Sequence, residues 1–345
     1  MWHLDKPSKL VLDEYEDRLL PALKSRITNS PDLTQNQKNV LLPPLANGSL
    51  DEGELKGLLT DEPDDLFARS ERLMKQLIVG YSISDLSAYS KVKKAKNLTS
   101  AQSTLKAKYS LLGTLETAFG YTVAMGGNKY RSYMLTAAAK HNTCVYCNRQ
   151  YAFNIERDGG KNDDNRIARP ALDHWFPKSL FPLMSLSYYN LIPSCTVCNS
   201  SAKMDDIWLL STHIHPYLSA PDVPKFKFRY KPGLNATWNI DFENLVGKEK
   251  NTVKSLCLQE AYQAHSELEV TDLIEMATKN NGTYMKQLYG SILRLYTAGG
   301  DRAKAYRLLL GTEMMKDEFK NRPLSKLKRD IIEQIEKAQG VKFFE

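Results

Sequence analysis

The chain has 345 residues, 42% of them hydrophobic and 25% charged, with a formal net charge of +7. That length allows one large or two modest domains with real cores, and no apolar run approaches the roughly 20 residues that cross a bilayer. A positive excess attracts polyanions in general but singles out none of them. The first residues, Met1-Trp2-His3-Leu4-Asp5-Lys6, show no basic region followed by an apolar one, so no secretory signal is read there. A cytoplasmic location is the expectation.

Residues 1–140 read as a helical N-terminal region. Apolar residues recur at helical spacing from Leu10 to Leu23 and from Leu66 to Val79, and Asp61-Glu62-Pro63-Asp64-Asp65 has the acidic character of a helix entry. Pro31, Pro43-Pro44 and Asn47-Gly48 punctuate the loops. Leu105, Leu111, Leu112 and Leu115 predict one amphipathic helix from Thr99 to Ala118. Lys91, Lys93, Lys94 and Lys96 precede it, a cluster that suits phosphates or simply a solvated face. After Gly126-Gly127, a helix from Lys129 to Lys140 leads into the most informative stretch.

That stretch opens with Cys144-Val145-Tyr146-Cys147 and closes with Cys195-Thr196-Val197-Cys198-Asn199. Each C-x-x-C can point two thiolates at one centre, so the two pairs supply the four ligands of a structural zinc site. The other reading is two unrelated buried cysteine pairs. Cys257 stands alone in a helical stretch and reads as an inert buried thiol. Between the pairs, Gln150 to Ile155 alternates like a strand, and Arg157 to Asn165 has the composition of an exposed turn. Pro170-Ala171-Leu172 reads as a strand that delivers Asp173 and His174 at its end, and Pro177 stops it. Leu186 to Ile192 is an apolar run holding Asn190, and Cys195 to Lys203 reads as a short helix with Asn199 in its first turn. Trp175 and Phe176 read as core, and His213 and His215 as ordinary strand or loop residues.

Farther on, Phe226, Phe228 and Tyr230, then Trp238, Ile240 and Phe242, alternate around Lys231-Pro232-Gly233 and predict a β-hairpin within 218–245. Residues 246–345 are helical again, with Asn280-Asn281-Gly282 and Gly299-Gly300 as separators. The expected fold is mainly α with a small embedded α+β module at 141–217.

Hydrolysis of a phosphodiester needs a base, a cation and something to hold the base. His174 suits the first, since an imidazole titrates near ~6.5. Asp173 offers a carboxylate oxygen and Asn199 an amide oxygen to Mg²⁺ or Mn²⁺. Lys178 and Lys203 flank the site and suit phosphates on either side of the scissile bond, as any surface lysine there would.

The order C-x-x-C, Asp-His, Asn, C-x-x-C-Asn resembles the HNH endonucleases between Cys144 and Lys203. The resemblance implies a ββα-metal core, two strands and a helix around one catalytic cation, clasped by the four-cysteine zinc and flanked by helical arms. It assigns Asp173 and Asn199 to the catalytic metal, His174 to the general base and Asn190 to the group that orients the base. Many members carry histidine where Asn199 stands, and an amide oxygen there favours a hard cation. Asp173 through Ser179, Leu186 through Cys195 and His215-Pro216-Tyr217 are similar to HNH proteins of bacterial anti-phage systems such as Septu and certain retrons, which work beside an ATPase partner. The expected function is a DNA endonuclease of anti-phage defence whose helical arms bind DNA, a partner or a second copy. The competing expectation is a zinc module that only binds nucleic acid or scaffolds protein contacts. Asp173 and His174 argue against it, since binding needs neither.

Overall fold

A computed structural model describes residues 2–126, 129–157, 165–203, 207–234, 237–279, 281–296 and 301–344. The turn expected at 158–164 and the separators Gly127, Asn280, Gly299 and Gly300 lie outside them.

Helices α1 (Lys9–Thr28), α2 (Gln35–Leu41), α3 (Gly53–Thr60), α4 (Pro63–Leu77), α5 (Ile83–Val92), α6 (Ser100–Lys108), α7 (Leu111–Phe119), α8 (Tyr121–Gly126) and α9 (Lys129–Ala138) precede the first cysteine pair. Local chemistry sets their starts. Thr34 with Gln37 and Thr99 with Gln102 form capping boxes at α2 and α6, and Pro63 enters α4 ahead of Asp64 and Asp65. The single helix expected from Thr99 to Ala118 is two. Tyr109 breaks it, because its ring is fully buried and its hydroxyl donates to the Ser82 carbonyl at 3.1 Å. A tertiary anchor overrides the helical period there. Gly120 ends α7 at φ +59°, where a Cβ would also meet the Arg26 guanidinium at 2.1 Å.

Three antiparallel pairs follow: β1 (Ile155–Glu156) with β2 (Arg166–Ala168), β3 (Ala171–His174) with β4 (Leu191–Ser194), and β5 (Lys227–Pro232) with β6 (Trp238–Glu243). The strand expected from Gln150 to Ile155 shrinks to β1. Asn154 turns toward α9 instead, accepting from the Thr136 hydroxyl at 2.7 Å and donating to the Tyr133 carbonyl at 3.3 Å. In β3–β4 the register sets Asp173 opposite Ile192 and His174 opposite Leu191, and a wide helical turn, Val197–Ala202, follows β4. The expected β5–β6 hairpin is present.

The last region holds α10 (Gly247–Ser255), α11 (Leu258–Gln263), α12 (Thr271–Lys279), α13 (Asn281–Tyr296), α14 (Arg302–Leu310) and α15 (Ser325–Gln339). Helix α15 covers the hairpin's edge: Asp330 accepts from Phe228 N at 2.9 Å and Gln334 from Tyr230 N at 3.0 Å, satisfying strand amides that have no ladder partner. Cys257 departs from its expectation. It is exposed, at φ +48°, because the tight α10–α11 turn aims its side chain outward.

One hydrophobic core runs from Trp2 to Phe344, so the helices on either side of the cysteine stretch wall it in rather than project from it. Tyr15 on α1 donates to the Leu186 carbonyl at 2.8 Å, the Trp2 indole donates to the Tyr146 carbonyl, and Tyr262 on α11 donates to the Cys147 carbonyl. Trp175 and Phe176 are fully buried, as core residues should be.

Candidate active site

The sulfurs of Cys144, Cys147, Cys195 and Cys198 lie within 4.8 Å of one another, all buried, with Cys147 and Cys195 3.8 Å apart. Four sulfurs about 2.3 Å from one zinc stand about 3.8 Å apart in a tetrahedron, so the cluster is positioned to bind a metal ion and fits structural zinc. Burial pushes the Cys144 thiol well above its ordinary range, a penalty that a bound dication reverses. The first turn is held from both sides. Asn148 N donates to the Cys144 carbonyl at 2.9 Å and Arg149 N to the Cys147 sulfur at 3.4 Å. Asn148 takes φ +48°, and its amide donates to the Phe319 carbonyl at 2.7 Å and the Arg322 carbonyl at 3.2 Å, while its own carbonyl accepts from Leu324 N at 2.6 Å.

Beside this knuckle opens a cleft of about 480 Å³, lined by Asp173 and His174 at the end of β3, Asn199 from the helical turn, Tyr121 from α8, and Arg169 and Lys178. The Nε2 of His174 lies 3.0 Å from the Ser185 carbonyl. A carbonyl only accepts, so Nε2 carries the proton and the lone pair of the neutral ring sits on Nδ1. The Tyr121 ring meets the imidazole edge-on at 4.3 Å. Burial, helped by the Lys203 and Lys178 ammoniums and opposed by the Ser185 carbonyl, lowers the His174 pKa to about 3. The ring is therefore neutral at physiological pH.

Asp173 is 5% exposed, and its Oδ2 accepts from the Tyr146 hydroxyl and the Lys203 ammonium, each at 2.7 Å. Those two donors fill that oxygen and leave Oδ1 for the cleft. Lys203 corrects its expected place as a surface phosphate contact. It is 1% exposed, donates also to the His174 carbonyl and, at 2.9 Å, to the Trp175 carbonyl, and sits 4.5 Å over the Trp208 ring. An ammonium so enclosed has no donor left for a substrate. Lys178 stays on the rim, paired with Glu116 at 3.0 Å.

Asn190 is buried and works at one remove from the histidine. Its amide oxygen accepts from Phe176 N at 2.6 Å, and its nitrogen donates to the carbonyls of Phe176 at 3.1 Å and Met184 at 2.8 Å. It thereby fixes the loop that brings the Ser185 carbonyl to the ring. Among the described residues Asn199 makes one side-chain bond, from Nδ2 to the Ser200 hydroxyl at 3.3 Å, with its amide oxygen left for another partner.

The structure thus gathers Asp173, His174 and Asn199 into one cleft, keeps Lys178 at its rim, and withdraws Lys203 and Asn190 into its support. Tyr121, Arg169, Ser185 and Tyr146 were not anticipated. Tyr146 had a signal, its place inside the C-x-x-C turn; Tyr121 had none, because it reaches the cleft from a separate helix. His213 stacks on Trp208 at 4.9 Å and burial lowers the His215 pKa to about 3, and among the described residues neither joins the four-cysteine cluster. Among the described residues no helix is long and apolar enough to cross a membrane. Compared with family models, curated proteins and solved structures, the chain matches none.

Proposed function

We propose that this chain is a metal-dependent endonuclease that hydrolyses DNA phosphodiesters, with β3, β4 and the Val197–Ala202 turn as an HNH-type ββα core. One observation carries the reading: His174 faces the cleft with Nε2 committed to Ser185, beside the oxygen donors Asp173 and Asn199. That is the arrangement of a general base next to a seat for a hard cation.

The neutral imidazole takes a proton from water on Nδ1 as the water oxygen attacks phosphorus. The bond from phosphorus to the 3′-oxygen breaks, and the departing oxygen is protonated from solvent. Asp173 Oδ1 and the Asn199 amide oxygen would hold Mg²⁺ or Mn²⁺, whose charge stabilises the pentacoordinate phosphate and the leaving oxygen. Arg169 and Lys178 draw the phosphate to the rim. The four cysteines would hold a structural zinc outside the chemistry, and their turn sets Tyr146, whose hydroxyl bonds Asp173.

Supercoiled plasmid incubated with the protein and Mg²⁺ or Mn²⁺ tests this. Nicking or linearisation by the wild type, lost in a His174→Ala protein with its zinc intact, is the expected outcome. Equal cutting by both would exclude His174 as the base. No cutting by either, with RNA also intact, would favour a zinc module that binds without hydrolysing.

A further inference from the structure

The cleft has an unusual charge balance for a cation site. Asp173 is its one lining carboxylate among the described residues, and that carboxylate already holds a buried ammonium at 2.7 Å. Both partners of this pair are nearly sealed from solvent, at 1% and 7% side-chain exposure, so water screens neither. Arg169 adds a positive charge to the wall, and Lys178 on the rim is balanced by Glu116. Among the described residues the sum is a net positive cleft. Affinity for a hard cation rises with the number of anionic ligands, and a magnesium site with one carboxylate relies on a substrate phosphate for the rest.

We propose that the cleft takes nucleic-acid phosphate before the divalent ion, with Lys203 as a resident cation that keeps the metal seat weak until the phosphate arrives. The inference rests on the endonuclease reading and adds an order of binding to it. Metal and substrate then bind with positive coupling, each tightening the other by the same factor. An endonuclease built this way is not armed by free metal alone.

Two titrations of the zinc-loaded protein decide the point. In the first, the signal of free Mn²⁺ is followed by electron paramagnetic resonance, with and without a short phosphorothioate duplex that resists cleavage. The duplex is expected to tighten Mn²⁺ binding about tenfold or more, and a Lys203→Met protein to bind Mn²⁺ without the duplex nearly as well as with it. In the second, fluorescence anisotropy follows a labelled duplex in buffer without added divalent ion. Binding is expected, weakened roughly fivefold by Arg169→Gln, an alteration at the cleft wall that leaves the core untouched.

Mn²⁺ bound equally well with and without duplex, in a manner abolished by Asp173→Asn, would overturn the binding order and leave the endonuclease reading standing. Mn²⁺ binding that Asp173→Asn does not alter would remove the cation from this cleft and overturn both. Inorganic phosphate tightening Mn²⁺ as well as the duplex does, at equal concentration, would make this a free-phosphate site and overturn the nucleic-acid assignment. The duplex titration keeps the test decisive should Lys203→Met fail to fold.

Discussion

The cysteine knuckle and the cleft stand on either side of Tyr146 and are built on opposite plans. The knuckle is dry and closed: four sulfurs within 4.8 Å, all buried, their turn bonded to segments from both ends of the chain. The cleft is open, lined by the oxygen donors Asp173 and Asn199, with a single lining carboxylate among the described residues. A sulfur site with every position filled by protein suits a metal that stays, and an oxygen site with few protein ligands suits one that comes and goes. Tyr146 joins the two, since its backbone lies in the first C-x-x-C and its hydroxyl ends on Asp173. The turn of the cysteine cluster and the cleft carboxylate are therefore joined through one side chain and one hydrogen bond.

If that contrast holds, losses on the knuckle side should fall on stability and losses on the cleft side on activity. The largest effect is expected from Cys147→Ser or from chelation of the zinc. Structural zinc contributes on the order of 10 kcal/mol, so the cooperative thermal transition followed by circular dichroism should collapse along with the zinc content. A chelated protein that melts unchanged would break the comparison at its base. Asn190→Ala lies between the two plans. It strips partners from two buried backbone carbonyls and one amide, and a cost of about 3 kcal/mol in urea unfolding is expected, together with slower plasmid cleavage as the Ser185 carbonyl loses its hold on His174.

On the cleft side, Asn199→Ala should change stability by less than about 1 kcal/mol while lowering the cleavage rate roughly a hundredfold, with part of the loss recovered at high Mn²⁺. A stability loss matching that at Asn190 would show Asn199 to be part of the scaffold instead. Smallest of all, Cys257→Ser should move stability by no more than about 0.5 kcal/mol. Alkylation sharpens this: in the zinc-loaded protein Cys257 alone should react quickly, since it is exposed and the other four are buried.

Much of this site was legible because its constraints are short-range. A C-x-x-C turn closes on itself, a strand of alternating residues has two faces, and Asp173 and His174 are neighbours in sequence, while their grouping with Asn199 was read from the resemblance to HNH endonucleases. The β5–β6 hairpin was readable for the same reason. Lys203 was not, because a lysine carries the same letter whether its ammonium meets solvent or a buried carboxylate; only the fold shows Trp208 and Asp173 enclosing it. Tyr121 was invisible because its meeting with His174 depends on how α8 docks, a long-range matter. The break at Tyr109 and the outward turn at Cys257 were missed alike. In each, one residue's tertiary surroundings override a periodic pattern that continues on both sides.

The bonds around Asn148 also bear on when the site can exist. Its side-chain nitrogen donates to the Phe319 and Arg322 carbonyls and its backbone carbonyl accepts from Leu324 N, and Phe319 lies 171 residues further along the chain. On the ribosome, both cysteine pairs and the Asp173-His174 strand emerge well before those partners are made. Until then the turn after the first C-x-x-C keeps only its local bonds, among them Asn148 N to the Cys144 carbonyl and the Asn148 amide to the Thr143 hydroxyl, and the support behind Tyr146 and Asp173 is unfinished. A chain that stops before Phe319 would thus carry every residue of the cleft without the carbonyls that hold the turn behind Tyr146.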